Sequence, residues 1–438
     1  MSELTTGIPR PGAAVSMGSR LRSIFGGSIG NLIEWYDFYV YNAFALYFAK
    51  QFSPPSTSAS AQFVTVFGIY AVGFLIRPIG GYFLGTMADL RGRKAALTLS
   101  VTLMCAGSLI IAVLPSYAAI GVAAPLLLLF ARLLQGFSLG GEYASSATYL
   151  SEVATSKHRG FYSSFQYVTL IGGQVLGSAT LLVMQALFTA PQLEDWGWRV
   201  PFLLGAACAL FGLYLRRRLI ESPEFMRAAR TPRTRSPFRE LLQHKKEFFL
   251  VLGLTMGGTT AFYTYSTYMP TFLVNTVKLT RDQATQISFI TLVIYACMQP
   301  LFGVISDVVG RRPVLLWFGI LGTIFTVPLL TALAETRDYT TALLLILAAL
   351  AIVSGYTSIN AVVKAELFPA SVRAIGVGLP YAIAASLFGG TAPYVALELK
   401  QRGVESAFYW YVSALILVSL IVYATMRDTK KRSLILTD

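Results

Sequence analysis

Polar positions in this chain come in short clusters between apolar runs of about twenty residues, and a run of that length crosses a bilayer as a helix. Twelve such runs are read, at about 24–50, 61–86, 95–115, 120–150, 160–188, 198–216, 247–274, 284–307, 313–334, 340–366, 372–397 and 405–427. Every second connection is basic. Arg91, Arg93 and Lys94 follow the second run, Lys157 and Arg159 the fourth, Arg311 and Arg312 the eighth, and Arg373 the tenth. Arg427, Lys430, Lys431 and Arg432 follow the last. Lys and Arg collect on the cytoplasmic side of membrane helices, so both termini are expected there. The reading divides the chain into a tail (1–23), a six-helix bundle (24–216), a linker (217–246), a second bundle (247–427) and a tail (428–438).

Composition agrees. Of 438 residues, 55% are hydrophobic and 13% charged, against roughly 25% charged in a soluble domain. The net charge of +14 would suit nucleic acid, but it sits in the short connections, so no nucleic-acid partner is expected. Cys105, Cys208 and Cys297 lie far apart inside apolar runs and read as packing residues, with no metal or disulfide spacing. Residues 1–20 lack the apolar core of a signal peptide. No nucleophile–base constellation stands out, so neither an enzyme nor a cofactor is expected.

The two halves repeat. "GTMADLRGRK" at 85–94 is matched by "GVISDVVGRR" at 303–312, and "SEVATSKHRG" at 151–160 by "AELFPASVRA" at 365–374. Parallel six-helix repeats are what a transporter needs to bind a solute between two bundles. In the first motif, Gly85, Gly92, Gly303 and Gly310 permit tight turns. Asp89 and Asp307 can pair with basic residues of their own turn or of a neighbouring helix. With these motifs the sequence resembles the major facilitator superfamily: an all-α membrane protein of twelve transmembrane helices in two six-helix bundles. Glu152 with Arg159, Glu366 with Arg373, and "ESPEF" at 221–225 are similar to helix-end charges of its sugar-porter branch. The resemblance implies a cytoplasmic gate made of Asp89, Arg93, Lys94, Glu152, Arg159, Glu221, Asp307, Arg311, Arg312, Glu366 and Arg373. The plainer reading is that these charges only set topology.

Some charges lie inside the apolar runs. "GNLIEWYDFYVY" at 30–41 puts Glu34 and Asp37 at bilayer depth, where ionisable residues are expensive and usually functional. Helical spacing places Glu34, Asp37 and Tyr41 on one stripe. Leu32, Phe38 and Val40 are left to meet lipid or neighbouring helices. At 1.5 Å per residue Asp37 lies about 20 Å from the inner start of its run, and Arg132 about 18 Å from the outer start of its own, so a pair near midplane is feasible. Arg132 and Gly136 match an R-x-x-x-G pattern of proton-linked members of the superfamily. That resemblance makes Asp37 the proton acceptor, Arg132 its partner and Glu34 a second candidate; a permanent ion pair that fixes packing is the alternative. Burial favours the neutral carboxylic acid and a nearby guanidinium the carboxylate, so a moving arginine would switch proton affinity.

Arg77, in "GFLIRPIGG", offers a planar fork for an anionic substrate or bridges helices. Lys364 could hold a second carboxylate or line the inner mouth. Tyr41, Gln166, Tyr167, Gln174, Tyr263 and Tyr268 complete a polar cavity, and Pro270 suggests an interrupted seventh helix.

Six longer stretches extend the resemblance over nearly the whole chain: "GNLIEWYDFYVY", "GFLIRPIGG", "GGEYASSATYLSEVA", "GFYSSFQYVTLIGGQ", "DWGWRVPF" and "KAELFPASVRAIGVGL". They are similar to the metabolite–proton symporter family, in its α-ketoglutarate permease branch. The implied activity is uptake of a C4–C6 organic anion together with protons, 2-oxoglutarate or a related di- or tricarboxylate, by alternating access. Symport of a zwitterion such as betaine or proline is the alternative. The expected setting is a monomer in the bacterial inner membrane, driven by the proton gradient.

Overall fold

A computed structural model describes residues 17–56, 59–217, 221–229 and 236–435. Among them no strand occurs, and twelve long helical rods follow the twelve apolar runs. We number the rods α1 to α12. In the first half α1 is Met17–Phe48, and α2 is Ala59–Leu75 continued by Arg77–Arg91. Next come α3 (Arg93–Val113), α4 (Ala123–Val153), α5 (Arg159–Leu187) and α6 (Val200–Arg217). In the second half α7 runs as Lys245–Phe262, a π-helical turn Tyr263–Tyr268 and Met269–Asn275. It is followed by α8 (Arg281–Val309), α9 (Arg311–Glu335) and α10 (Tyr339–Thr357, then Asn360–Glu366). The last two are α11 (Arg373–Ala384, a π-helical turn Ala385–Gly389, Ala392–Gln401) and α12 (Glu405–Thr425). Ten of the twelve contain helices long and apolar enough to cross a membrane by length and composition. The other two are α1, which carries Asn31, Glu34 and Asp37, and the interrupted α7. The protein is an integral membrane protein.

The predicted 1–23 tail falls mainly on residues outside the described ones, and α1 already starts at Met17. In the predicted linker, residues 218–220 and 230–235 also lie outside them. The remainder holds two short helices, Pro223–Ala228 and Pro237–Leu241. Each follows a serine N-cap, Ser222 and Ser236, whose side chain accepts from a backbone N–H three residues on. Residues 436–438 of the last tail lie outside the description as well.

The bundles meet along α2 with α11 and α5 with α8. Small residues allow the approach: a Cβ on Gly85 would lie 3.0 Å from the Ile375 Cα, and one on Gly303 would lie 2.8 Å from the Gly160 carbonyl. Gly92 and Gly310 close the α2–α3 and α8–α9 turns, both at φ 101°, where a side chain is strained. The repeat seen in the sequence is therefore a repeat of backbone geometry.

Candidate functional site

At the end that carries the basic loops, the repeated charges clamp the bundles together. Asp89 accepts from the backbone N–H groups of Ala374 (3.1 Å) and Ile375 (2.9 Å) at the start of α11. Its counterpart Asp307 accepts from Gly160 (2.8 Å) and Phe161 (2.9 Å) at the start of α5. Each carboxylate thus lies on the N-terminal dipole of a helix in the other bundle. Arg93 binds Asp89 (3.0 Å) and Glu152 (2.8 Å), and Arg311 binds Asp307 (2.8 Å) and Glu366 (3.5 Å). The sequence motifs suggested Glu152 with Arg159 and Glu366 with Arg373. Instead, the ion pairs reach across: Glu152 meets Arg373 at 2.7 Å and Glu366 meets Arg159 at 4.0 Å.

Two predicted gate residues act differently. Lys94 is held through its backbone N–H, which donates to Glu221 together with that of Arg93. The guanidinium of Arg312 donates to the Tyr423 and Ala424 carbonyls and caps α12, so it does not span the bundles. One repeat escaped the sequence reading. Glu221 and Ser222 bind the α2–α3 turn and Glu152, while Asp428 and Thr429 bind the α8–α9 turn and Glu366.

Glu152→Gln leaves Arg93 and Arg373 buried and facing a neutral amide, and breaking a buried pair costs about 3–5 kcal/mol. A cysteine at Ala374, on a background without Cys105, Cys208 and Cys297, should then react with a thiol reagent roughly tenfold faster or more. An unchanged rate would show that the charges do not hold this end shut.

Further inside, three cations are buried, Arg77 and Lys364 where the bundles meet and Arg132 within the first bundle. Arg77 opens the second segment of α2, after a turn at Ile76 and before Pro78. Its guanidinium lies 3.9 Å from the Phe74 ring and 4.5 Å from that of Phe38, and Nη1 donates to Tyr263 of the other bundle at 3.2 Å. Nε and Nη2 have no partner. The Arg132 guanidinium lies 4.2 Å from the Tyr41 ring and 4.9 Å from that of Phe38. Its Nη1 donates to Gln135 at 2.7 Å, and again Nε and Nη2 have none. Lys364, past the break in α10, donates to Asn360 (3.0 Å) and to Tyr143 of the other bundle (3.1 Å). It also lies 4.3 Å from the face of Tyr381, which stacks on Tyr143. Among the described residues no carboxylate lies within salt-bridge distance of these three. Burying a charge without an opposite one is expensive, and cation–π contacts worth about 0.5–2 kcal/mol offset it only in part.

Asp37 and Arg132 do not form the expected direct pair. Asp37 faces α3 and accepts from Ser108, Gln135 donates to Ser108 at 3.0 Å, and Arg132 donates to Gln135. The aromatic slot of Phe38, Tyr41 and Tyr70 keeps the guanidinium away, so a hydroxyl and an amide separate the charges. Asp37 Oδ1 rests where a Cβ on Gly205 would stand, so α6 must be bare there. Phe38, assigned to lipid or helix packing, lies between the two guanidiniums. Glu34 bonds Ser100 at 2.7 Å and sits with Glu142 and Arg216, neither of which was singled out from the sequence.

The predicted polar lining divides. Tyr167 and Tyr263 stand at the bundle interface beside Phe262, and Gln174 reaches the Ser266 carbonyl across it at 3.0 Å. Gln166 is consumed inside its own bundle by Ser146 and Asn31. The Tyr41 hydroxyl is tied to the Val66 carbonyl, so this residue supports Arg132 with its ring. Tyr268 packs on Phe272 and Phe408, apart from the cations. The π-helical turn at Tyr263–Tyr268 is the interruption that Pro270 signalled.

Two six-helix bundles, clamped at one end around buried charges, define a secondary transporter. The chain belongs to the Sugar (and other) transporter family, whose profile matches residues 24–237 and again 227–438. It is 49% identical to the alpha-ketoglutarate permease of Escherichia coli (strain K12), over 92% of this chain and 93% of that one. The citrate-proton symporter of Klebsiella pneumoniae is 33% identical over 91% and 90%. A Staphylococcus haemolyticus chain ascribed to proline/betaine transport is 34% identical over 92% and 87%. Among solved structures, the proton:xylose symporter XylE superposes with a TM-score of 0.80 at 20% identity, covering 96% of this chain and 98% of that one. This places the fold in the major facilitator superfamily.

Proposed function

We propose that the protein carries a small dicarboxylate, 2-oxoglutarate before others, together with protons across the bacterial inner membrane by alternating access. The basic end and both termini face the cytoplasm in this reading. One observation carries it: Arg77 and Lys364, where the bundles meet, and Arg132 beside them are buried with no carboxylate among the described residues within salt-bridge distance, and two guanidinium edges are unused. A dianion supplies the missing charge. Arg77 and Lys364 would take one carboxylate each, with Tyr167 and Tyr263 against the carbon chain. Arg132, linked through Gln135 and Ser108 to Asp37, would couple anion binding to protonation. The strong likeness to an alpha-ketoglutarate permease and the likeness to a citrate-proton symporter support the same substrate class.

Relatives ascribed to proline and betaine keep the zwitterion in view. The ring of Tyr143, Tyr356 and Tyr381 that could receive a quaternary ammonium is already filled by the Lys364 ammonium, which argues against it. Purified protein in liposomes should accumulate labelled 2-oxoglutarate when the outside is made acidic, and unlabelled citrate should compete better than betaine. No accumulation under an imposed pH gradient would overturn the reading.

A further inference from the structure

One turn from Asp37 toward the basic end lies a second buried polar cluster. Glu34 from α1 and Glu142 from α4 share Ser100 of α3, whose hydroxyl is 2.7 Å from Glu34 Oε1 and 3.2 Å from Glu142 Oε2. Ser138 approaches Glu34 Oε2 at 3.2 Å and the Ser100 carbonyl at 2.7 Å. Arg216 of α6 donates to Glu142 at 2.6 Å and stands 3.7 Å from Glu34. All three charged side chains are fully buried. Among the described residues they are also the only charged groups brought to this point by the four packed helices. Asp37 turns away to Ser108, and Cys105 is spent on the Ala206 carbonyl.

Two counts disagree with a fully ionised cluster. Two carboxylates against one guanidinium leave a net negative charge in a buried site, where an uncompensated charge neutralises by binding a proton. Hydrogens are short as well. Ser100 has a single O–H and faces both carboxylates and Ser138, and the Ser138 O–H is better placed on a backbone carbonyl. One proton on the carboxyl pair corrects both counts at once.

We propose that Glu34 and Glu142, held under Arg216, form a second proton-binding site that carries one shared proton in this closed state. Its link to the gate is short. Arg216 stands five residues before Glu221 and six before Ser222, which clamp the α2–α3 turn and Glu152. The role of this proton as a second transported ion rests on the symport reading; its presence does not.

Infrared difference spectra of the full-length protein in lipid at neutral pH test the site without any flux. The C=O stretch of a protonated carboxylic acid should be present, and both Glu142→Gln and Glu34→Gln should remove the same band. Asp37→Asn should leave it. Ser100→Ala, a milder change that keeps both carboxyls, should shift the band by removing its hydrogen-bond partner. A band that survives both glutamine variants and ignores Ser100→Ala would overturn the proposal. Failure of pH-driven uptake in the unaltered protein would instead overturn the symport reading and leave these spectra valid.

Discussion

Arg77→Ala should raise the half-saturating dicarboxylate concentration by roughly a hundredfold or more while the protein still inserts and folds. Hydrogen bonds to charged groups contribute about 1.5–3 kcal/mol each, and the unused Nε and Nη2 edge offers two of them in parallel. Losing both is worth about 3 kcal/mol, or some hundredfold in affinity. Folding should suffer less, because this guanidinium is buried against Phe74 and Phe38 with a single hydrogen bond, to Tyr263. Arg77→Lys keeps the charge and loses the planar edge, so it should recover only part of the affinity. Concentration-dependent uptake of labelled 2-oxoglutarate, with protein amount in the membrane as control, measures both. Normal half-saturation in Arg77→Ala would make this arginine a bridge to Tyr263 and nothing more.

The sequence made the main charges visible because hydrocarbon penalises them. Glu34, Asp37, Arg77, Arg132 and Lys364 interrupt apolar runs, and each is buried in the folded chain. Gate charges were legible for another reason: the same motif occurs at the same place in each half. What one strand of letters lacks is azimuth. Rise per residue fixes how deep Asp37 and Arg132 lie, but not which way they turn, so a direct pair was expected where Ser108 and Gln135 intervene. Small polar residues of that kind carry no mark inside a helix. Glu142 lies in "GGEYASS" with nothing in its spacing to mark it, and Arg216, the last residue of its apolar run, opens a row of three arginines that reads as a basic helix end. Tyr143, Tyr356 and Tyr381 are three of 23 tyrosines, and only packing distinguishes the ones around Lys364. Gln166 and Tyr268 show the converse error, since a polar side chain in an apolar helix can be used up by its neighbours. Pro270 announced the break in α7, whereas α10 breaks at Ser358 and Ile359 without proline or glycine.

The buried cations and the buried acids also differ in their surroundings, although α4 carries one of each, Arg132 and Glu142. Arg77 of α2 and Lys364 of α10 each donate to a tyrosine of the other bundle, so they feel each change in bundle contact. The acids lie on α1 and α4, inside the first bundle, and there Asp37 is close to Arg132. Ser108 and Gln135 join the two, and a relay of neutral hydrogen-bonding groups can pass a change of protonation to Arg132 without the cost of moving a charge.

Asp37→Asn should abolish accumulation against a gradient while leaving exchange of labelled for unlabelled solute. Asparagine keeps the shape beside Gly205 and can still bond Ser108, so the fold is undisturbed, but it cannot take up a proton in the working range. Each coupled proton is worth about 1.4 kcal/mol per unit of pH gradient. One proton therefore sustains roughly tenfold accumulation across one unit, and without it the inside-to-outside ratio should fall to about one. A dianion also meets about 2.3 kcal/mol per charge per 100 mV when it enters against a negative-inside potential, so the variant should fail most clearly with the potential imposed. Exchange at equal concentrations needs no proton to be released and should continue. Equal accumulation by Asp37→Asn and the unaltered protein would remove this carboxylate from the coupling step.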